Sequence, residues 1–257
     1  MGRDLLTSTF QEKLDNQQKL FVPYIMAGDG GLNILEERIT FLEECGASAI
    51  ELGIPFSDPV ADGPTIQEAG KRALENGTTL TNVLETLQDS CQRRFIPIIL
   101  MTYINPIYTY GIEAFARDCV KSGVDGVIVP DLPLEEEALI VEHFQNHSIA
   151  LIRLAALTSP EERLNKITER TEGFLYAVSV TGTTGARATH KDEVKEYLQN
   201  LKLMTKTPVL AGFGVSNSQQ ANDLGKYCDG VVVGSKIVDL FHNDKSEEIK
   251  KLIEESI

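Results

Sequence analysis

The sequence of 257 residues predicts an α/β protein that folds as a (β/α)8 barrel. Short apolar segments alternate with stretches of helical apolar spacing, and we count eight such strand–helix units. The apolar segments are unbroken rather than alternating, which is typical of parallel strands covered on both faces. No low-complexity segment or linker divides the chain, and barrels of this length often form one domain. We therefore expect one domain over residues 1–257.

The first half of the chain opens with a helix before the strand–helix alternation starts. A helix over residues 4–17 places Leu5, Leu6, Phe10 and Leu14 on one face, and we expect it to cap the bottom of the barrel. After the second strand two helices follow where one would suffice, because Gly77 ends the first and Thr79 or Thr81 caps the second. The predicted elements of this half are strands 21–28, 49–54 and 97–103 and helices 34–44, 65–75, 79–92 and 112–121.

The second half continues the same alternation to the end of the chain. Its predicted strands are 126–129, 149–156, 174–180, 208–211 and 230–233. Its predicted helices are 135–144, 160–169, 192–204, 218–224 and one that begins near Glu247.

Composition excludes several classes of partner. The net charge is −14, with 24 Lys and Arg against 38 Asp and Glu, so neither nucleic acid nor an anionic membrane is expected as a general partner. The chain shows no signal-peptide pattern and no run long enough to span a membrane. Four scattered cysteines without metal-type spacing favour reduced thiols and a cytoplasmic location: Cys45, Cys91, Cys119 and Cys228.

Two acids flank a rigid loop after the second predicted strand. Glu51 lies in an apolar run, where an unpaired charge is costly, so this carboxylate is expected to be paired or used. The following loop presents Asp58 and Asp62, and for Asp58 capping of a turn is as good an interpretation as a functional role. Prolines and a glycine hold the loop in defined turns: Pro55, Pro59, Gly63 and Pro64.

Other polar or reactive side chains also lie near the C-terminal ends of strands, where barrels of this class carry their functional groups. They are Tyr103, Asp131, Tyr176 and Ser179. Glycine-bearing turns over residues 181–185, 212–216 and 233–237 follow the last three strands. Backbone amides in such turns bind phosphate in many barrels, and this would let an acidic protein hold an anion.

No metal site is expected. His143 and His147 stand four residues apart on a predicted helix, yet no third ligand is evident, so a surface position is the better interpretation. Neither His190 nor His242 has a context that marks it as a base.

At this point the residues resemble a known family, that of the tryptophan synthase alpha chain. Residues 51–67, ELGIPFSDPVADGPTIQ, match the signature of that family almost residue for residue. The resemblance runs nearly end to end, and further landmarks stand in the family's order at 21–24, 28–29, 101–106, 130–131, 184–186, 212–214 and 234–235.

The resemblance implies a lyase of tryptophan biosynthesis. It implies retro-aldol cleavage of indole-3-glycerol phosphate to indole and glyceraldehyde 3-phosphate, with no cofactor in this chain. It also implies a tryptophan synthase beta subunit as partner in an alpha2-beta2 heterotetramer. That subunit is expected to carry pyridoxal phosphate and to receive the indole.

The resemblance also assigns residues. Glu51 would be the acid–base catalyst, Asp62 would face the indole nitrogen and Tyr176 would assist. Substrate-binding positions would be Tyr24, Tyr103, Ile128, Thr184, Gly185, Phe213, Gly214, Gly234 and Ser235. Partner-interface positions would be Pro55, Asp58, Pro59 and Asn105. Three positions depart from the family pattern and concern pocket packing and loop closure: Tyr24 stands where phenylalanine is common, Met26 where threonine is common and Thr183 where valine is usual.

Two alternative functions stand beside this one. A sugar-phosphate isomerase or epimerase would share the late glycine turns but need not have the Asp58-to-Asp62 loop, and indole release separates the two. A non-catalytic subunit that only activates a partner is the second alternative. Intact Glu51 and Asp62 argue against it, and the cleavage rate of the isolated chain tests it.

Overall fold

A computed structural model describes residues 2–179 and 191–257 of the chain. Its strands form one sheet in the order β5-β4-β3-β2-β1-β9-β8-β7-β6, and all paired strands run parallel. The strands are β1 (Leu20–Met26), β2 (Ile50–Gly53), β3 (Ile98–Met101), β4 (Val124–Ile128), β5 (Ala150–Leu151), β6 (Arg153–Ala156), β7 (Leu175–Val178), β8 (Val209–Gly212) and β9 (Gly230–Val233).

The sheet closes through the chain itself. Strands β5 and β6 stand at opposite ends of the strand order, yet only Ile152 separates them in sequence. The Ile152 N–H donates to the Val127 carbonyl at 3.0 Å, while β6 pairs with β7. The predicted strand 149–156 is therefore one strand in two pieces, which turns eight predicted strands into nine. The predicted (β/α)8 barrel is confirmed.

Helices surround the barrel. They are α1 (Arg3–Asp15), α2 (Leu35–Glu44), α3 (Pro64–Glu75), α4 (Leu80–Ser90), α5 (Ile104–Tyr110), α6 (Ile112–Lys121), α7 (Val141–Asn146), α8 (Glu161–Arg170), α9 (Lys191–Met204), α10 (Ser218–Gly225), α11 (Ser235–His242) and α12 (Ser246–Glu254). The extra helix after β2 is confirmed as α4. Thr79 rather than Thr81 begins it, through a capping box with Asn82.

The sequence-based assignment was wrong in three places outside the sheet. Helices α5 and α11 were not predicted, because each begins within three residues of a strand's end and spans only seven or eight residues, too few to separate from the preceding strand or glycine turn. The predicted helix 135–144 is instead a 3-10 segment, Leu134–Leu139, followed by the short α7. Ile140 interrupts the two with φ −123° and ψ −23°, outside helical geometry.

Helix α1 closes the end of the barrel at which the strands begin, as predicted. Leu6 and Phe10 are buried among side chains from the barrel interior, and the Phe10 and Phe174 rings lie 6.0 Å apart. Burying one such side chain stabilises the fold by about 1.5–3 kcal/mol. The strand residues of this interior cluster are Leu20, Val22, Ala49, Ile99, Ile128, Ala150, Ile152, Phe174, Leu210 and Val232. The opposite end of the barrel is left for the polar groups described next.

No helix in the described parts of the chain has the length and apolar character needed to cross a membrane.

Candidate active site

Glu51 is a buried acid without a full set of hydrogen bonds. It lies on β2 in register with Tyr24 on β1 and Ile99 on β3, and its side chain is 1% exposed. Its Oε2 atom has no hydrogen-bond partner among the described residues. Burial, and then the charge of Asp62, raise the pKa of Glu51 to about 8. This carboxyl group therefore holds a proton at neutral pH and has an oxygen free to exchange it.

Asp62 is the second acid, and the loop that carries it is fixed by hydrogen bonds. The Asp62 N–H donates to the Pro59 carbonyl at 3.1 Å, and the Gln67 side-chain amide donates to the Asp62 carbonyl at 2.8 Å. Burial raises the pKa of Asp62 to about 6, and a side-chain hydrogen bond from Tyr103 opposes that rise. Asp62 is therefore ionised at a pH where Glu51 is still protonated. Two carboxyl groups with such separated pKa values are suited to different chemical roles.

Three tyrosines share this end of the barrel with the two acids. Burial raises the pKa of Tyr24, Tyr103 and Tyr176, and the negative charge of Asp62 or Glu51 raises each further. All three phenols therefore remain protonated and act as neutral hydrogen-bonding groups at neutral pH.

Two glycines make room for two of these rings. A Cβ atom on Gly53 would lie 1.9 Å from the Tyr24 hydroxyl oxygen, and one on Gly212 would lie 2.4 Å from Cε2 of Tyr176. No other residue fits at either position without moving the ring. Gly53 had no predicted role, although a glycine inside a strand is a signal of close approach by another group.

The remaining predicted pocket residues fall in different places. Ile128 is buried in the barrel interior and pairs with Met101 in the register of β3 and β4. The Phe213 ring instead packs edge-on against Tyr197 of α9 at 6.4 Å, in the layer between barrel and helices. Asp131 has a structural role, since its carboxylate accepts from the Ile104 N–H at 2.9 Å and caps α5.

Glycines at the ends of β8 and β9 have the geometry of an anion site. Gly214 has φ +69° and nothing within 4 Å of where its Cβ would stand, so its backbone is open to a ligand. Gly234 is the N-cap of α11, and the helix begins at Ser235; a helix N-terminus favours a bound anion. A Cβ atom on Gly234 would lie 3.6 Å from Tyr24 Cβ, so this helix start adjoins the site of the acids. Thr183, Thr184, Gly185 and His190 lie outside the described residues.

The predicted partner positions do not share one environment. Asp58 and Asn105 are exposed and Pro59 is half-buried, whereas Pro55 is buried and has little surface to offer a partner. Val60 on the same loop is an apolar side chain that is 78% exposed, and it was not among the predicted partner positions.

His143 is paired with an acid on the outer helices. His143 Nδ1 lies 2.7 Å from the Glu113 carboxylate on the outer helices. Within residues 2–179 and 191–257, no three side chains of metal-binding type are grouped as a metal ion would require.

Comparison with known proteins gives one family. Residues 10–257 match the family described as tryptophan synthase alpha chain. Similar chains bearing that name include one from Oceanobacillus iheyensis, 58% identical over 100% of this chain and 98% of its own length. Another, from Bacillus cereus, is 52% identical over 95% of each chain.

Solved structures agree with the sequence comparison. Tryptophan synthase subunit alpha from Legionella pneumophila superposes with a TM-score of 0.88 at 33% identity, covering 100% of this chain and 97% of its own. A chain of Mycobacterium tuberculosis tryptophan synthase has a TM-score of 0.90 at 33% identity, covering 98% of this chain and 96% of its own. The similarity therefore covers the whole barrel together with the end that carries Glu51 and Asp62.

Proposed function

The chain belongs to the tryptophan synthase alpha chain family and is a lyase that cleaves indole-3-glycerol phosphate, and we propose that Glu51 and Asp62 divide the chemistry of that cleavage. The observation that carries the proposal is the unpaired, buried Glu51 carboxyl group beside an Asp62 that titrates about two pH units lower. No ordinary core acid would be left in that state, since an unsatisfied buried polar group costs about 1–3 kcal/mol.

Glu51 acts as the acid and then as the base. Its proton goes to the indole ring carbon that bears the glycerol phosphate chain, which makes the ring an electron sink. The Glu51 carboxylate then removes the proton of the hydroxyl group on the adjacent carbon. The carbon–carbon bond breaks, its electron pair returns to the ring, and indole and glyceraldehyde 3-phosphate leave. One proton is given and one is taken, so Glu51 is regenerated.

Asp62 stabilises the charge that this protonation creates. When the ring carbon is protonated, positive charge develops on the ring nitrogen, and a carboxylate already held in place stabilises it without reorganising. A pKa of about 6 keeps Asp62 ionised at neutral pH, as this role requires. Tyr176 assists from the opposite side of the barrel interior, where the Glu51 charge influences its hydroxyl group.

Replacing Asp62 tests this division of labour. Asp62→Asn keeps the size of the side chain but removes its charge, so indole release from indole-3-glycerol phosphate should fall about 10²–10³-fold, the range for loss of one fixed stabilising group. Asp58→Ala in the isolated chain is the matched control, because this exposed acid lies on the same loop. If folded Asp62→Asn released indole at the wild-type rate, the assignment of Asp62 would be wrong.

The substrate phosphate is bound by backbone amides around Gly185, Gly214, Gly234 and Ser235. Support comes from the open backbone at Gly214 and from the N-terminus of α11. Gly214→Val should raise the KM for substrate and weaken binding of glycerol phosphate. Gly77→Val is the control, because Gly77 has φ +75° and is equally open, so it carries the same backbone strain at a glycine outside the turns after β8 and β9. Equal binding by both variants would contradict this placement.

The chain works in the cytoplasm as one domain, without a cofactor of its own, together with a tryptophan synthase beta subunit in an alpha2-beta2 assembly. The beta subunit supplies pyridoxal phosphate and receives the indole. Support comes from the names of similar structures, which include tryptophan synthase from Mycobacterium tuberculosis, and from the exposed Asp58, Val60 and Asn105. In the complex, Asp58→Ala should reduce activation by the partner more than it reduces basal cleavage.

A further inference from the structure

Tyr103 connects helix α5 with the loop after β2, two segments that have separate roles in the proposed function. It follows β3 and is the N-cap residue of α5, the helix that presents Asn105. Its side chain reaches across to the loop after β2, where its ring lies 5.2 Å from the Phe56 ring. Its hydroxyl oxygen accepts a hydrogen bond from the Ala61 N–H at 3.0 Å. One side chain thus holds the loop at both ends of its exposed stretch.

We propose that Tyr103 is a positioning residue for Asp62: its hydroxyl group, fixed by the Ala61 N–H, holds the neighbouring carboxylate in place and donates to it. The proposal rests on the proposed role of Asp62. It gives the Tyr103 hydroxyl group a task beyond lining a pocket.

The donor and acceptor groups of the Tyr103 hydroxyl determine the direction of its hydrogen bond with the Asp62 carboxylate. A phenol has one O–H donor besides its acceptor lone pairs, and the Ala61 N–H occupies a lone pair. The donor proton is left for the Asp62 carboxylate, and the Tyr103 hydrogen bond accordingly lowers the pKa of Asp62. Among the described residues Asp62 forms no salt bridge, so no cation performs this task.

The other groups that face Asp62 do not replace Tyr103. Glu51 from β2 adds negative charge when ionised, and the Tyr24 hydroxyl from β1 has a weak contact of 4.0 Å with the Met26 sulfur. Neither is attached to the loop backbone. Tyr103 alone among these neighbours bonds to the residue that precedes Asp62.

The same geometry gives a route between the outer surface and the acid. Asp58 and Val60 lie on the exposed part of the loop, between the Phe56 and Ala61 contacts with Tyr103. Asn105 lies two residues after Tyr103 on α5. A shift of either surface segment would therefore move the side chain that holds Asp62.

Tyr103→Phe tests the proposal because it removes only the hydroxyl group and keeps the ring beside Phe56. We expect kcat for cleavage to fall about 5- to 30-fold with little change in KM, because a charge-assisted hydrogen bond is lost. The pKa of Asp62, followed by carbon NMR of labelled aspartate, should rise by about one pH unit. The acid limb of the pH profile, where kcat/KM rises as Asp62 ionises, should move to higher pH with it.

The matched control is Tyr110→Phe, which removes another phenol that donates to a carboxylate, the 3.0 Å bond to Asp118. That variant should leave the acid limb unchanged. A wild-type acid limb and a wild-type Asp62 pKa in folded Tyr103→Phe would overturn the positioning role. The result with Asp62→Asn separates the two ideas, because full activity there would overturn the role of Asp62 itself.

Discussion

Two buried acids on the strands that flank β3 have opposite hydrogen-bond environments. Glu51 on β2 stands in regular register with Ile99 on β3, and its Oε2 atom has no partner among the described residues. Asp125 on β4 lies where the register with β3 shifts, so it is the extra residue of a bulge. Its two carboxyl oxygens accept from the Gly2 N–H at 2.8 Å and from the Ile98 N–H at 3.0 Å.

The difference separates a structural acid from a reactive one. Burial raises the pKa of both, yet two backbone hydrogen bonds hold Asp125 at about 6, while Glu51 reaches about 8 beside a second acid. Asp125 binds the chain before α1 to the start of β3, and its hydrogen-bond capacity is used. Glu51 has no comparable pair of hydrogen bonds, because its Oε2 atom has no partner among the described residues. Burial alone therefore does not identify a catalytic acid, whereas burial without partners does.

The largest expected effect is on turnover in Glu51→Gln. Glutamine keeps the size of glutamate but cannot cycle a proton, so indole release should fall about 10²–10⁴-fold, the usual worth of general acid–base catalysis. Binding of glycerol phosphate should be retained. If Glu51→Gln turned over near the wild-type rate but melted at a lower temperature, Glu51 would be a structural acid like Asp125.

The pH dependence of the wild-type rate gives the next largest effect. Asp62 must be ionised and Glu51 protonated, so kcat/KM should rise as pH increases through about 6 and fall as pH increases through about 8. Each limb should change about tenfold per pH unit beyond its pKa. Because the Asp62 charge raises the pKa of Glu51, the alkaline limb measured on residual activity of Asp62→Asn should move to lower pH. An unmoved limb would show that the two acids are not coupled.

Stability should depend on pH through Glu51 with a definite sign. Its pKa in the folded state, about 8, exceeds the ordinary value of 4.5, so the folded chain holds the proton more tightly than the unfolded chain. The stability this contributes is present below about 4.5 and is lost as pH rises to about 8. Relative to wild type, the free energy of unfolding of Glu51→Gln should rise across this window by a few kcal/mol at most. A constant difference between pH 4 and 9 would contradict the shift.

The smallest effect is expected for Asp125→Asn, and it should fall on stability alone. The asparagine amide nitrogen would face a backbone N–H donor, leaving one buried group unsatisfied at a cost of about 1–3 kcal/mol in the free energy of unfolding. Denaturant unfolding measures this loss, and kcat for indole release should stay within about twofold of wild type because no substrate group is touched. A large loss of turnover with unchanged stability would remove the distinction drawn between the two acids.

Local patterns in the sequence are enough to predict the barrel and its two leading acids. Apolar periodicity within about ten residues reports strands and helices, and turn residues report the loops between them. Glu51 is recognisable because a charge interrupts an apolar strand, and the motif after it places Asp62 by resemblance. Helices α5 and α11 were not predicted because they span only seven and eight residues, less than the window over which a helical period is recognised.

Contacts between distant segments decided the rest. The space that Gly53 leaves for Tyr24, the outward packing of Phe213 and the bulge at Asp125 each depend on a neighbouring strand or helix that lies elsewhere in the sequence. The same holds for the two acids: burial raises both pKa values, the Asp62 charge raises that of Glu51 further, and the Tyr103 hydrogen bond lowers that of Asp62. The sequence identifies the reactive side chains, but only the register between strands in the folded barrel determines which of them lack a hydrogen-bond partner.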